Sequence, residues 1–396
     1  MNFQVHYSCS QCGAPFTFEE GERILYCPYC RVKSLLVGEK YLRYFLPPKY
    51  NQEECLYVPY LRVKGPLFFT TTHDLIPLWI DSTILGLEKL HFPLSLGLRA
   101  QAMPLQMVYS QNLNLIQEEL SFKQALAKIK NRLANSKVRG TIYYQDFIGE
   151  NLSYIYLPLL PQKGYYFDAL AQRPLSPVLN PAELTFHQQE NWQLNILPAL
   201  CPKCGYTLEG QNKDLLLICK NCSNLYYFET EKLEIINPYL LFSTPDDLYL
   251  PFWQFEIDFA EEDSALERHL HSLYLVKVNN LVLSIPAFAV RPDYFIKFAT
   301  ALSLSPLLRT NNPFSLEEKI NYISPTVSRK EAITSLRLIL GNLIKNKEIL
   351  QELKKLKIKI KKFKLTFIPF IQNHIELIQP HLQLAINKNS FRFFIQ

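Results

Sequence analysis

The chain has 396 residues, 48% of them hydrophobic and 13% aromatic, and its 42 basic against 36 acidic side chains leave a net charge of +6. That much apolar material excludes a disordered chain, and the length suits two or three domains. The charge is too small, and too free of basic tails, for composition to demand a nucleic-acid partner.

The N-terminal stretch MNFQVHYSCSQCG has neither a basic n-region nor an apolar h-region, so a secretory signal is not expected. The longest apolar runs, such as 281–290, are about half of the ~20 residues that cross a bilayer. A soluble, cytoplasmic protein without a membrane span is expected. In that reducing compartment clustered cysteines mean metal rather than disulfides.

The first cysteines, Cys9, Cys12, Cys27 and Cys30, form two C-x2-C pairs separated by fourteen residues, and Cys201, Cys204, Cys219 and Cys222 repeat the arrangement with the same separation. Each C-x2-C turn points two thiolates at one tetrahedral ion, and a second pair completes the shell. Two four-cysteine zinc ribbons are therefore expected, over 1–40 and 196–232, each holding one zinc ion. Gly13 supplies the unhindered backbone of a knuckle, and ERILYC and VKSLLV read as short strands around the second pair.

The repetition continues past the cysteines. At a constant offset of 192 residues, ECLYVPYLRV (54–63) lies over DDLYLPFWQF (246–255), so Tyr57 and Pro59 meet Tyr249 and Pro251. Cys55 falls opposite Asp247, which leaves it outside both metal sites as a small, partly buried side chain. The proline inside each of these runs predicts a strand at a sheet edge or with a bulge, and Tyr57, Pro59 and Leu61 share a face by period two. KLHFPLSLG (89–97) predicts a further strand.

Ser121 with Gln124 forms a capping box before Phe122, Leu126, Ile129 and Leu133 at helical spacing. LSYIYLPLL, a turn at 161–164 and YYFDAL then read as a β-hairpin. The second half presents the same parts in the same order: Pro286 in the place of Pro93, a capping box at Ser328 and Glu331 before Ile333, Leu336, Leu340 and Leu343, and LTFIPFIQ in the place of YIYLPLLPQ. The fold class expected is α+β with internal duplication, each half a ribbon plus a small antiparallel or mixed sheet with one main helix, over 41–195 and 233–396. The two halves are expected to pack against each other as an internal dimer.

One stretch of the second half stands out as an insertion, NLIKNKEILQELKKLKIKIKKFK (342–364), with nine lysines. Lys357, Lys359 and Lys361 share one face if the chain is extended. Lysines protect exposed edge strands from intermolecular pairing, and they also suit phosphate. The acidic cluster Glu261, Glu262 and Asp263 suits a loop or a helix start. His269 and His271 have no third ligand at useful spacing.

No P-loop, GxGxxG, GxSxG or HExxH motif occurs, so neither catalytic nor cofactor-binding residues are assigned. CPKCGYTLEG resembles the first knuckle of rubredoxins and rubrerythrins, CxxCGY, and CPYC resembles their second, over about thirty residues of each half; zinc ribbons are similar to the same degree. The rubredoxin resemblance implies iron and electron transfer, and the ribbon resemblance implies zinc for structure or recognition. The second pairs depart from the redox pattern, being followed by Arg31 and Ser223 in place of glycine. The function expected is a non-enzymatic binding or assembly protein with a protein partner. The alternatives are nucleic-acid binding through Phe16, Phe18, Tyr29, Arg23, Arg31 and the lysine stretch, or iron electron transfer.

Overall fold

The computed structural model describes residues 3–37, 41–88, 92–97, 104–108, 113–149, 151–177, 184–187, 195–229, 232–241, 247–259, 269, 281–305, 312–313, 321–344 and 346–391. In chain order the first half runs β1 (Gln4–Ser8), β2 (Pro15–Glu19), β3 (Ile24–Tyr26), β4 (Lys33–Val37), β5 (Leu42–Phe45), β6 (Leu56–Thr70), β7 (Leu75–Leu85), β8 (Leu105–Met107), β9 (Asn114–Leu115), α1 (Phe122–Lys137), β10 (Tyr144–Phe147), β11 (Asn151–Gln162), β12 (Tyr165–Asp168) and β13 (Arg173–Pro177). The second runs β14 (Asn195–Pro198), β15 (Leu216–Ile218), β16 (Leu225–Glu229), β17 (Lys232–Ile235), β18 (Tyr239–Leu240), β19 (Leu248–Phe259), β20 (Leu281–Pro286), α2 (Pro292–Leu304), β21 (Asn312–Pro313), β22 (Asn321–Tyr322), α3 (Arg329–Leu343), α4 (Lys347–Glu352), β23 (Ile358–Gln372), β24 (Glu376–Gln379) and β25 (Leu384–Asn387). The protein is a strand-dominated mixed α+β fold. None of the described helices is long and apolar enough to cross a membrane.

Each large sheet is built around one long strand, β6 or β19, and the pairings around the two correspond. β6 is antiparallel to β11 and β7 and parallel to β9, while β19 is antiparallel to β23 and β20 and parallel to β22. The registers correspond too: Tyr57 faces Pro158 and Tyr249 faces Pro369. Leu46 donates to the Tyr156 carbonyl as Leu241 does to that of Phe367, and Ile116 donates to Tyr57 as Ile323 does to Tyr249. By the same registers, Pro286 answers to Leu85 rather than to Pro93.

The two prolines lie inside central strands, contrary to the edge or bulge that proline suggests. The reason is a gap on one side of each strand. Below Pro59 the neighbour is β9, above it β7, and the Gly86 N–H closes the gap onto the Pro59 carbonyl at 2.8 Å. A residue's N and C=O point to the same side of a strand, so the missing donor of Pro59 faces the place where no ladder acceptor is offered. Ala287 closes the same gap onto Pro251 at 2.9 Å. Both faces of β6 are buried: Tyr57, Leu61 and Val63 join one core cluster, Val58 and Tyr60 another. Cys55 is fully buried beside Tyr57 rather than partly exposed.

Both capping boxes form, Ser121 with Gln124 and Ser328 with Glu331. On α1 the buried residues are Phe122, Ala125 and Ile129, with Leu126 and Leu133 partly covered. On α3 the apolar face is wider than periodicity predicts, because this helix packs on its own sheet and on that of the other half. Leu336, Leu340 and Leu343 are buried together with Ala332, Leu338 and Ile339, whereas Ile333 is 39% exposed. Gly341 permits this approach; a Cβ there would lie 2.8 Å from the Thr70 side chain on β6. The halves thus join through unlike surfaces, with α2 and α3 on β6, β7 and β10, and Phe68 meeting Phe295 with ring centroids 6.1 Å apart. The symmetric internal dimer is replaced by a heterologous contact. The second half also carries α2 and α4 beside its main helix, where one helix was expected. Residues 92–97 contain no strand, and Glu261, Glu262, Asp263 and His271 lie outside the described residues.

The lysine stretch is not an insertion. Thirty-seven residues separate Ser121 from Pro158 and forty-one separate Ser328 from Pro369, so the lysines stand where the first half has β10 and the start of β11. Lys357, Lys359 and Lys361 are exposed, and residues 358–364 pair only with β19 among the described strands, with a bulge between Glu256 and Ile257. Lysines and a bulge are both devices that blunt a free edge. Asp258, held below its usual range chiefly by its hydrogen bond from Lys361, accepts that contact at 2.9 Å.

Candidate metal centres

Four tight turns build the two centres. β1 and β2 bracket Cys9 and Cys12, while β3 and β4 bracket Cys27 and Cys30. In the second ribbon the four cysteines flank β15 and β16. Each turn closes with the same pair of backbone bonds. The Cys9 N–H donates to the Ala14 carbonyl and the Cys9 carbonyl accepts from the Gly13 N–H; Cys27, Cys201 and Cys219 do likewise with Val32 and Arg31, Tyr206 and Gly205, Asn224 and Ser223. The fourth position after each first cysteine is left-handed in every case, with φ of 73° at Gly13, 62° at Arg31, 72° at Gly205 and 56° at Ser223. The departure from glycine at Arg31 and Ser223 is therefore one of residue type alone, since the backbone keeps the glycine conformation. Arg31→Gly and Ser223→Gly should each stabilise their ribbon by about 1 kcal/mol, read as a rise in urea midpoint, because an L side chain pays for a left-handed φ.

All eight predicted ligands are brought together in the predicted groups, and within each group the four sulfurs lie within 4.8 Å of one another. The Sγ separations are 3.7 Å for Cys9–Cys30 and Cys12–Cys27, 3.6 Å for Cys201–Cys222 and 3.4 Å for Cys204–Cys219. A tetrahedral ion with metal–sulfur bonds of about 2.3 Å has edges of about 3.8 Å, so the cysteines fit a metal ion. Four thiolates fill such a shell and leave no position for water or substrate. The backbone N–H groups of Cys30 and Tyr29 lower the Cys27 thiol to about 7. Burial pushes Cys201 up, but the Tyr226 hydroxyl and the N–H groups of Cys204 and Lys203 outweigh it and bring the thiol down. At these two sulfurs the thiolate that a metal takes is favoured, whereas burial pushes Cys219 up to about 11, and Cys30 is raised against its Val32 N–H by burial and the neighbouring sulfurs.

Side chains of the second ribbon also support its sulfurs. Tyr226 Oη lies 3.1 Å from Cys201 Sγ, and Asn224 Nδ2 donates to Cys222 Sγ at 3.2 Å. Sequence reasoning missed these supports; they lie four and two residues past the last ligand, and nothing in their spacing marks them. It also missed that the ribbons share a core, in which Ile24, Leu35 and Val37 of the first pack with Cys201, Leu217, Cys219 and Phe228 of the second. β14, leading into the second ribbon, adds a strand to β4 of the first.

Two polar clusters hold the first half together. Arg62, fully buried, pairs with Glu20 and with Asp81. Arg43 and His187 converge on Glu118 at 2.9 and 2.7 Å. Burial pushes Glu118 up, but its bonds with His187 and Arg43 outweigh this and bring it to about 2. Because the folded value lies below the unfolded one, this stability is present above about pH 5 and is lost as pH falls toward 2. Glu118→Gln should flatten that acid limb of the urea-unfolding free energy by about 2 kcal/mol, allowing for the solvent that still reaches the pair.

No protein-family model matches the chain, and no curated protein or solved structure matches it either.

Proposed function

We propose that the chain is a cytoplasmic, non-enzymatic zinc-ribbon assembly protein that acts through protein–protein contacts, and that its halves, 1–40 with 41–195 and 196–232 with 233–396, descend from one duplicated unit. The observation that carries the functional reading is the closed coordination shell: four thiolates per ion leave nothing for a substrate, so the metal's work is to hold a surface in shape. That surface carries exposed aromatics on the knuckles themselves, Tyr29 at 65% and Tyr206 at 54%. Rigid aromatic side chains of this kind anchor protein interfaces. Zinc is the ion assigned; a red protein with iron absorbance would favour rubredoxin-like electron transfer instead. The corresponding registers of the two sheets support the duplication.

The test places a photo-crosslinking residue at Tyr29 or Tyr206 in cells. A discrete adduct with another protein, absent when the same residue stands at exposed Leu94, is expected; its absence at both knuckles sinks the reading.

One observation favours nucleic acid as a second reading, the run of exposed lysines from Lys354 to Lys362. Lys357, Lys359 and Lys361 all changed to Glu should alter stability by only a few tenths of a kcal/mol per site. Salt-dependent nucleic-acid binding at sub-micromolar affinity, lost in that triple variant, would put the second reading first.

A further inference from the structure

A cleft of about 170 Å³ opens where both sheets and both ribbons meet. Four phenylalanines line it: Phe68 from the first half, and Phe288, Phe295 and Phe391 from the second, all less than a tenth exposed. Phe288 and Phe391 are stacked with centroids 5.5 Å apart. Interiors pack as densely as organic crystals, so apolar side chains this buried rarely leave such a space between them. An apolar cavity of about 150 Å³ accepts a benzene ring.

The charged groups on the wall are not equivalent. Glu20 is held by Arg62 and by the Ser153 hydroxyl at 2.7 Å, and Glu331 accepts the Ser328 N–H at 2.7 Å. Arg23 is only partly exposed and makes no salt bridge among the described residues; Glu331 feels its charge without touching it. Lys213, also on the wall, reaches Glu19 at 3.5 Å. An apolar slot beside an unbridged guanidinium suits a ligand with one flat apolar part and one carboxylate.

We propose that this cleft binds a small aromatic carboxylate, its ring among the four phenylalanines and its carboxylate on Arg23. Such a ligand would touch both halves and draw them together. The inference does not depend on the assembly reading, because a crosslinked protein partner and a small ligand at this seam are separate outcomes.

The experiment titrates the metal-loaded full chain with benzoate, toluene and benzylammonium by ligand-observed NMR. Saturable binding of benzoate and toluene is expected, and none of benzylammonium. Arg23→Gln should weaken benzoate about tenfold while leaving toluene within about twofold, as for loss of one charge-assisted contact. Phe295→Trp should exclude both by filling the slot. No saturable binding of benzoate at millimolar concentration, equal binding of benzylammonium, or an Arg23→Gln chain with unchanged benzoate affinity would each overturn the proposal.

Discussion

Cys201→Ser is expected to leave one metal ion per chain, and to lower the unfolding free energy by at least about 4 kcal/mol, since a structural zinc ion contributes on the order of 10 kcal/mol to a small ribbon. The damage should not stay in the second ribbon. Cys201 and Cys219 pack with Ile24, Leu35 and Val37, β14 is a hydrogen-bonded neighbour of β4, and the Asn212 carbonyl accepts from both Arg23 and Ile24. Amide hydrogens of β3 and β4 should therefore exchange faster in this variant, although their own cysteines are intact. Cys9→Ser provides the contrast, because Cys9 lies outside the shared core. That chain should also hold one ion, and should loosen β15 and β16 less than Cys201→Ser loosens β3 and β4, since the second ribbon keeps its own ion and core cysteines. Native mass spectrometry counts the ions and hydrogen exchange reads the spread. Two ions retained by Cys201→Ser, or wild-type protection throughout β3 and β4, would refute the shared-core account.

The metal ligands were legible because tetrahedral coordination imposes a spacing on the chain, and that spacing survives in a linear string. The two capping boxes were legible for the same reason, as local hydrogen bonds between residues three apart. What was not legible depends on which element lies next to which. Pro59 reads as an edge residue until the neighbouring strands are known to change at that point from β9 to β7. Ile333 fits the apolar period of α3 but is exposed, and Leu338 is buried off that period, because a second sheet covers the helix. The lysine stretch looked inserted because its composition is unlike that of β10 and β11, whereas register shows it in their place. The seam that forms the phenylalanine cleft draws on residues as distant as Phe68 and Phe391, and no local pattern connects them.

Arg62→Ala is expected to cost about 3–5 kcal/mol, the range for removing one partner of a buried ion pair. Arg62 is 0% exposed and Glu20 2%, so truncation would leave a carboxylate in the interior that keeps the Ser153 hydroxyl but loses its counter-charge. It would also remove the guanidinium from the face of Phe3, 3.5 Å away, and free Asp81, which now accepts from both Nε and Nη2. The loss should be nearly independent of salt up to 1 M, since buried charges are poorly screened. The neutral alternative is suggested by the second sheet, where register places Gln254 at the position of Arg62, its Oε1 accepting from the Thr366 hydroxyl at 3.0 Å. Arg62→Gln combined with Glu20→Gln removes both charges together and should cost much less than Arg62→Ala, within about 2 kcal/mol of the native chain. Because Glu20 ends the first hairpin of the ribbon and Arg62 lies on β6, the single variant should also loosen β1 and β2 against the sheet. Urea unfolding ranks the two variants, and an Arg62→Ala cost below about 1 kcal/mol, or a double variant no better than the single one, would mean that the pair does not tie ribbon to sheet.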